Sequence, residues 1–218
     1  MKNCIAIDGL SSTGKSTVSR IISEKLHYLH LDTGAMYRVV TAYCLKKKIN
    51  FYDEGEFQKN KNNINISFKE DGTIFCNDID FTNIIRTKEI CDKVSFVASI
   101  SYIREFLIEK QRKIAEKFDV VMDGRDIGTN VMPFAKNKFF LICDIDIRAK
   151  RRYEENLQKN IVCNLKDIKE NLKKRDFIDM TRKINPLKKS PDAVEIDTTF
   201  LTIKKIVNLM LNIIKKNK

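Results

Sequence analysis

One short segment constrains this chain more than any other: Gly9-Leu10-Ser11-Ser12-Thr13-Gly14-Lys15-Ser16, which matches the pattern G-x-x-x-x-G-K-[ST]. The glycines of such a loop let successive backbone N–H groups turn inward around a β-phosphate. The lysine reaches the β- and γ-phosphates, and the hydroxyl ligates Mg²⁺. The segment lies between an apolar run at residues 3–7 and helical spacing at residues 16–27, which is the context that this motif requires. The sequence therefore predicts a site for a nucleoside triphosphate.

The rest of the chain alternates apolar runs with amphipathic stretches. Further strands are predicted at residues 28–31, 119–122, 139–143 and 193–196. Helices are predicted at residues 36–43, 99–117, 148–158, 165–175 and 203–214. The central runs lack alternation, as a parallel sheet covered on both faces requires. We therefore expect an α/β fold in which helices cover a parallel sheet.

Residues 64–80 interrupt this rhythm. Apolar and polar residues alternate from Ile64 to Phe68, and the alternation resumes at Ile74 and Cys76. Between them, Lys69-Glu70-Asp71-Gly72 is typical of a turn. The pattern predicts a β-hairpin, which we interpret as an insert in the α/β domain.

Composition limits the partners and the compartment. The formal net charge is +12, but the lysines are spread along the chain and are not interleaved with aromatic residues as a nucleic-acid platform would need. We therefore expect a solvated basic surface and no specific nucleic acid. No apolar run approaches the ~18 residues of a spanning helix, and the apolar stretch near the start is too short for a signal peptide. We expect a cytoplasmic protein without a membrane partner.

The cysteines and histidines offer no metal or nucleophile pattern. The six cysteines are scattered without a C-x-x-C pair, which favours buried thiols in a reducing compartment. His27 and His30 flank a predicted strand, and we interpret both as structural.

The residues after the predicted strands favour a small kinase over a switch protein. The D-x-x-G and N-K-x-D motifs of GTP switches are missing from the sequence. A kinase must hold a second substrate beside the phosphates, and Asp32-Thr33 and Asp123-Gly124-Arg125-Asp126 follow the second and third strands. A lone aspartate is more often a helix cap, which we favour for Asp144 or Asp146. Two acids around an arginine favour a functional role.

Taken together, these segments resemble the bacterial cytidylate kinases, of the long type with an insert in the region that binds the nucleoside monophosphate. The matching segments span nearly the whole chain in order: Ile7-Asp8-Gly9 with the phosphate loop, Leu31-Asp32-Thr33-Gly34-Ala35-Met36-Tyr37-Arg38, Ile85-Arg86-Thr87-Lys88-Glu89, Arg104 with Gln111-Arg112, Asp123-Gly124-Arg125-Asp126-Ile127-Gly128-Thr129, and Arg175-Asp176 through Asp179, Arg182 and Pro186-Leu187.

The resemblance implies a single domain over residues 1–218, with a nucleoside monophosphate kinase-like fold. Its monophosphate-binding region would cover about residues 33–100, its β insert about 62–85 and its helical lid about 148–165. It implies a monomer that transfers the γ-phosphate of ATP to CMP or dCMP with Mg²⁺, by in-line attack of an acceptor phosphate oxygen.

The resemblance also implies roles for individual residues. The implied ATP-binding residues are Gly9, Leu10, Ser11, Ser12, Thr13, Gly14, Lys15, Ser16 and Thr17. The implied CMP-binding residues are Thr33, Arg38, Ser95, Arg104, Arg125, Asp126, Arg175, Asp179 and Arg182. Lys15, Arg125 and Asp123 would be catalytic, Ser16 would ligate Mg²⁺ with the phosphates and water, and the lid would carry Arg148, Arg151 and Arg152.

These implied roles agree with the chemistry of the acceptor. Paired guanidinium groups of Arg38 and Arg125 suit a phosphate dianion. Cytosine has an N4 amino donor and an N3 acceptor, which match the carboxylate of Asp126 and a cationic donor. Uracil reverses both groups and would leave these partners unpaired.

Two other interpretations stay open. The chain could be another small kinase of this type, acting on UMP, AMP or a non-nucleotide. It could also be a basic nucleic-acid-binding ATPase, which would show binding that falls steeply with salt. For the lid, the alternative is a solvated helix face.

Overall fold

A computed structural model describes residues 2–69 and 72–217. Its strands are β1 (Cys4–Gly9), β2 (Leu29–Asp32), β3 (Ile66–Phe68), β4 (Ile74–Cys76), β5 (Ile79–Asp80), β6 (Val120–Gly124), β7 (Asn137–Ile142) and β8 (Val194–Asp197). Its helices are α1 (Lys15–Leu26), α2 (Thr33–Lys47), α3 (Glu54–Asn60), α4 (Lys88–Val97), α5 (Ser101–Lys117), α6 (Ile145–Gln158), α7 (Leu165–Thr181) and α8 (Ile203–Lys216). Short 3-10 turns occupy Lys61–Asn63 and Ile84–Arg86, and a π-helical turn occupies Ile127–Val131. None of the helices in the described residues is long and apolar enough to cross a membrane.

The described residues fall into two compact units. The first, which we call the sheet unit, comprises the chain up to Leu31 and from Ile114 onward. The second, which we call the middle unit, is the continuous segment Asp32–Lys113. The prediction of one domain over the whole chain stays a prediction.

The larger sheet has the strand order β2-β6-β1-β7-β8. β1 lies at its centre and pairs in parallel with β6 on one side and β7 on the other, with Asp8 opposite Gly124 and Gly9 opposite Leu141. All six residues of β1 are buried. Because the carboxyl ends of parallel strands meet at one edge, the phosphate loop after β1 and the acidic segment after β6 emerge side by side.

Apolar side chains of α1 and α8 cover this central strand. Their contact with β1, β6, β7 and β8 forms the main core, whose members are Ile5, Ile7, Val18, Ile22, Val121, Phe139, Leu141, Ile196, Ile206, Val207, Met210 and Ile214. The helical spacing of residues 203–214 is thus confirmed as the core-facing stripe of α8.

The middle unit has its own core and its own small sheet. β3, β4 and β5 form an antiparallel sheet in that order, with Phe68 opposite Ile74. Phe57 is completely buried, and its ring lies 5.5 Å from that of Tyr102 and 5.8 Å from that of Phe106, between ring centroids. The hairpin predicted over residues 64–80 is confirmed and gains β5, although Glu70 and Asp71 of the predicted turn lie outside the described residues.

The α/β prediction is correct, and the structure differs from it in three local ways. Helices α3 and α4 were not predicted. The π-helical turn after Asp126 was not predicted either. Helix α7 continues to Thr181, beyond the predicted end at residue 175, because ion pairs hold the aspartates of its last turns.

Gly9 permits the close contact between β1 and β7. A Cβ atom on Gly9 would lie 2.4 Å from the carbonyl oxygen of Leu141, and that oxygen belongs to the backbone of a central strand. A side chain therefore forces the two strands apart at the start of the phosphate loop.

We expect Gly9→Ala to lower the free energy of unfolding by about 2–3 kcal/mol, measured by urea denaturation. Gly55→Ala is the matched control, because a Cβ there would meet only the Asp53 carboxylate, at 3.3 Å, on an exposed helix. Equal stability of the Gly9→Ala variant and the wild type would contradict the proposed strand contact.

Candidate functional site

The phosphate loop has the backbone that its sequence predicts. Ser12 and Gly14 have φ angles of 62° and 90°, which turn the chain into the first residue of α1. The Lys15 ammonium donates to the Leu10 carbonyl at 3.0 Å, and the Thr13 hydroxyl donates to the same oxygen at 3.0 Å. These two bonds link the two ends of the loop at the N-terminus of α1, which is the positive end of the helix dipole.

Asp123 joins the phosphate loop to β2. Its Oδ2 atom accepts from the Ser16 hydroxyl at 2.6 Å, and its Oδ1 atom lies 2.8 Å from Nε2 of His30. The carboxylate is 1% exposed. Ser16 and Asp123 together offer hard oxygen donors, and the described residues hold no cluster of three or more metal-binding side chains. This donor set fits Mg²⁺, which binds through one or two carboxylates plus nucleotide phosphates.

A second group of charges lies where β6 ends and where α7 passes. Arg125 Nε donates to Asp179 Oδ2 at 2.7 Å. Burial by itself would lower the pKa of Arg125, but the charge and hydrogen bond of Asp179 outweigh it and raise that pKa above its ordinary value. Burial likewise favours the neutral carboxyl of Asp179, but Arg125, Arg182 and Arg175 hold the pKa of Asp179 below its usual range. Both groups are therefore charged at neutral pH.

Asp126 pairs with a different arginine. Its Oδ1 atom accepts from Nη2 of Arg182 at 3.0 Å, and its Oδ2 atom accepts from the Asn130 amide at 3.1 Å. Arg182 also donates from Nε and Nη2 to the carbonyl of Asn185, at 2.8 and 2.5 Å. The Asp126 and Arg182 side chains are only 5% and 2% exposed. The pair is thus a buried acceptor and donor whose side chains are held in place by hydrogen bonds.

The three arginines of the predicted lid differ in their contacts. Arg148 is buried, forms an ion pair with Asp176 at 2.8 Å and donates to the carbonyl of Ser11 at 3.3 Å. Arg151 donates to the carbonyl of Thr198 at 2.6 Å. Arg152, in contrast, pairs with Glu155 on its own helix, at 2.9 Å. Arg148 therefore reaches the phosphate loop directly, whereas Arg152 lies on the more exposed side of α6.

The other predicted acceptor residues belong to the middle unit. Thr33 is buried at the start of α2, whose N-cap is Asp32, and Ser95 is buried on α4. Arg38 donates to the carbonyl of Ile85 at 3.3 Å and lies 2.9 Å from Cys91 Sγ. Arg104 is 1% exposed and donates to the carbonyl of Ala98 at 3.0 Å.

Sequence reasoning missed three residues that contact the predicted site. His30 was assigned a structural role, yet it contacts Asp123. Thr198 donates through Oγ1 to the carbonyl of Thr13 at 3.0 Å, so it supports the phosphate loop from the end of β8. Asp8 was named only as part of the matching segment Ile7-Asp8-Gly9. A carboxylate inside an otherwise apolar strand is rare, and it could have indicated a specific role for this residue.

Asp8 is a buried carboxylate with backbone partners. It is 4% exposed, and its two oxygens accept from the N–H groups of Ile127 and Gly128, both at 2.8 Å. Burial raises the pKa of Asp8 to about 7, because the loss of hydration outweighs these two hydrogen bonds. The charge of Asp126 also raises this pKa, and that of Arg125 lowers it.

The raised pKa of Asp8 predicts a dependence of stability on pH. The folded state keeps this proton up to about pH 7, whereas an unfolded chain releases it near pH 4, so rising pH favours unfolding across that window. Between pH 5 and pH 7, the wild type should lose about 2 kcal/mol of unfolding free energy relative to Asp8→Asn, which does not titrate. Urea denaturation of both proteins at several pH values measures the difference. Parallel profiles would contradict the assignment.

Comparison with known proteins identifies the family of this chain. A family model described as Cytidylate kinase matches residues 5–216. The chain is 45% identical over 214 residues to a cytidylate kinase of Fusobacterium nucleatum, covering 98% of both chains. It is 41% identical over 213 residues to a cytidylate kinase of Bacillus cereus, covering 96% of this chain and 95% of that one. An uncharacterized protein from Eubacterium ventriosum shares the fold, with a TM-score of 0.54 at 13% identity over 99% of both chains. The chain therefore belongs to the cytidylate kinase family, whose members are phosphotransferases.

Proposed function

We propose that this protein transfers the γ-phosphate of ATP to CMP or dCMP and releases ADP and CDP or dCDP. The observation that carries the proposal is the buried Asp126–Arg182 pair beside the phosphate loop, in a chain of this family. A carboxylate and a guanidinium held 3.0 Å apart present an acceptor and a donor in the arrangement that the N4 and N3 edge of cytosine requires.

Positioning and charge supply the chemistry. Lys15 and the N–H groups of the phosphate loop hold the donor phosphates, and Arg125 binds the acceptor phosphate so that its oxygen lies in line with the γ-phosphorus. Ser16 and Asp123 would hold Mg²⁺, which neutralises developing charge on the phosphates. Asp179 keeps the Arg125 guanidinium directed toward the end of β6.

The other assignments follow the same logic. Arg175 and Asp179 lie one turn apart on α7 and would contact the ribose hydroxyls. Of the middle-unit residues, Arg38 would bind the acceptor phosphate, and Ser95 and Arg104 would contact the base. Arg148, Arg151 and Arg152 would cover the donor phosphates. A monomeric state, a cytoplasmic location and the lack of a nucleic-acid partner stay predictions.

An assay of ADP release with ATP and Mg²⁺ tests the function, with CMP, dCMP, UMP, AMP and GMP offered separately. We expect strong turnover with CMP and dCMP only. Lys15→Ala is the control for background, since it removes the charge at the transferred phosphoryl and should abolish acceptor-dependent turnover. Strong turnover with another monophosphate would contradict the cytosine assignment, and no turnover with any acceptor would contradict the kinase assignment.

The base-recognition role of Asp126 has its own test. Asp126→Ala should lower kcat/KM for CMP by about 10- to 100-fold more than for UMP, because UMP gains nothing from a carboxylate opposite its 4-oxygen. Steady-state kinetics with both acceptors measure the ratio.

Asp119→Ala is the matched control for this variant, since it removes a carboxylate at the opposite end of β6, where Asp119 accepts from the N–H of Asn3 at 2.7 Å. An equal loss for CMP and UMP in Asp126→Ala would show that Asp126 is structural.

A further inference from the structure

The π-helical turn Ile127–Val131 begins directly after Asp126, and its first N–H groups need acceptors. The first donors of any helical turn have no partner within the turn. Ile127 and Gly128 are both buried, so water does not satisfy their N–H groups. An unsatisfied buried donor costs about 1–3 kcal/mol, and two consecutive donors at this position therefore call for an acceptor from elsewhere in the fold.

Asp8 supplies both acceptors from a different strand. Its Oδ1 atom accepts from Ile127 and its Oδ2 atom from Gly128, each at 2.8 Å. Only a carboxylate offers two equivalent acceptor oxygens on one short side chain, since an amide replaces one of them with a donor. Asp8 therefore caps the turn from β1, more than a hundred residues away in sequence.

Gly128 lies close to the Asp8 carboxylate. A Cβ atom at Gly128 would lie 3.4 Å from Asp8 Oδ2 and 3.3 Å from Cδ of Lys138. The ammonium group of Lys138 is directed elsewhere, to the carbonyl of Pro133 at 2.7 Å and to Asp192 at 2.8 Å. The alkyl chain of Lys138 therefore packs beside Gly128, and the Asp8 carboxylate lies within van der Waals contact of this position.

The same turn fixes the backbone of Asp126. The Asp126 carbonyl accepts from the N–H groups of Asn130 and Val131 at 2.9 and 3.1 Å, which are bonds that exist only while the turn is formed. The Asp126 side chain is also bonded to the turn, through Asn130. A change in the turn therefore moves the carboxylate that pairs with Arg182.

We propose that Asp8 is a positioning residue for the acceptor nucleotide, because its carboxylate holds the turn that sets the place of Asp126 and its neighbour Arg125. The inference rests on the proposed function for the identity of the acceptor. Asp8 lies directly before Gly9. Two adjacent residues thus have different roles: Asp8 supports the turn beside Asp126, and Gly9 begins the phosphate loop.

Asp8→Asn tests the proposal at pH 8, where wild-type Asp8 is ionised. The substitution keeps the shape of the side chain, but it replaces one acceptor oxygen with an NH₂ group that faces a backbone N–H. We expect KM for CMP to rise about tenfold or more, as for the loss of one charge-assisted hydrogen bond, and KM for ATP to stay within about twofold.

Asp119→Asn is the matched control, because it makes the same chemical change at the other end of the same two strands. Its kinetics should equal those of the wild type. Unchanged KM for CMP in Asp8→Asn would overturn the proposal. An equal rise of KM for ATP and for CMP would also overturn it, since it would show general support of the sheet edge.

Amide hydrogen exchange separates this inference from the proposed function. Faster exchange at the N–H groups of Ile127 and Gly128 in Asp8→Asn, with unchanged exchange in the core of β7, supports the capping role whether or not CMP is the acceptor. Unchanged exchange at these two groups overturns it. A wild-type protein that does not phosphorylate CMP refutes the proposed function and leaves this readout intact.

Discussion

Buried arginines need carboxylate partners, and this requirement organises the edge of the sheet. A site for phosphate groups must hold cations before the ligand arrives, and an isolated buried charge is strongly unfavourable. Here three buried or partly buried arginines of the sheet unit are paired with carboxylates: Arg125 with Asp179, Arg182 with Asp126 and Arg148 with Asp176. Helix α7 carries two of the three aspartates, so it supplies most of the negative charge that balances these arginines.

The pairing also explains why the arginines point where they do. An arginine held through one edge of its guanidinium still has N–H groups on its other edges to offer a phosphate or a base. Arg125 uses Nε for Asp179, and Arg182 divides its donors between Asp126 and the Asn185 carbonyl. The carboxylates therefore orient the cations as well as neutralise them.

Much of the fold could be predicted from the sequence because its signals are local. Buried strands such as residues 3–7 and 139–143, the stripe of α8 and the alternation around Phe68 depend on spacing that any reader of the sequence can count. The π-helical turn could not be predicted, because its stability depends on a partner far away in sequence. The turn after Asp126 depends on Asp8, and the last turns of α7 depend on Arg125 and Arg148.

Some residues of the candidate site could be predicted from the sequence and others could not, for the same reason. The phosphate loop is a contiguous motif whose chemistry sets its spacing, so its residues could be named without a structure. Asp126 and Arg182 were named from resemblance, and the structure places their charged groups 3.0 Å apart. His30 and Thr198 could not be found, because only the strand order β2-β6-β1-β7-β8 brings the ends of β2 and β8 toward the loop after β1.

The strand order has a consequence for how this protein is made. Among the described strands β1 is synthesised before the others, but both of its sheet neighbours lie beyond the entire middle unit, and Asn3 and Asp119 are separated by 116 positions. At the usual speed of synthesis, this fully buried strand waits about 10 s for its neighbours. The middle unit, being continuous, has all of its own contacts available during that interval. The central sheet is thus completed after the middle unit, around the strand that precedes all the other described strands.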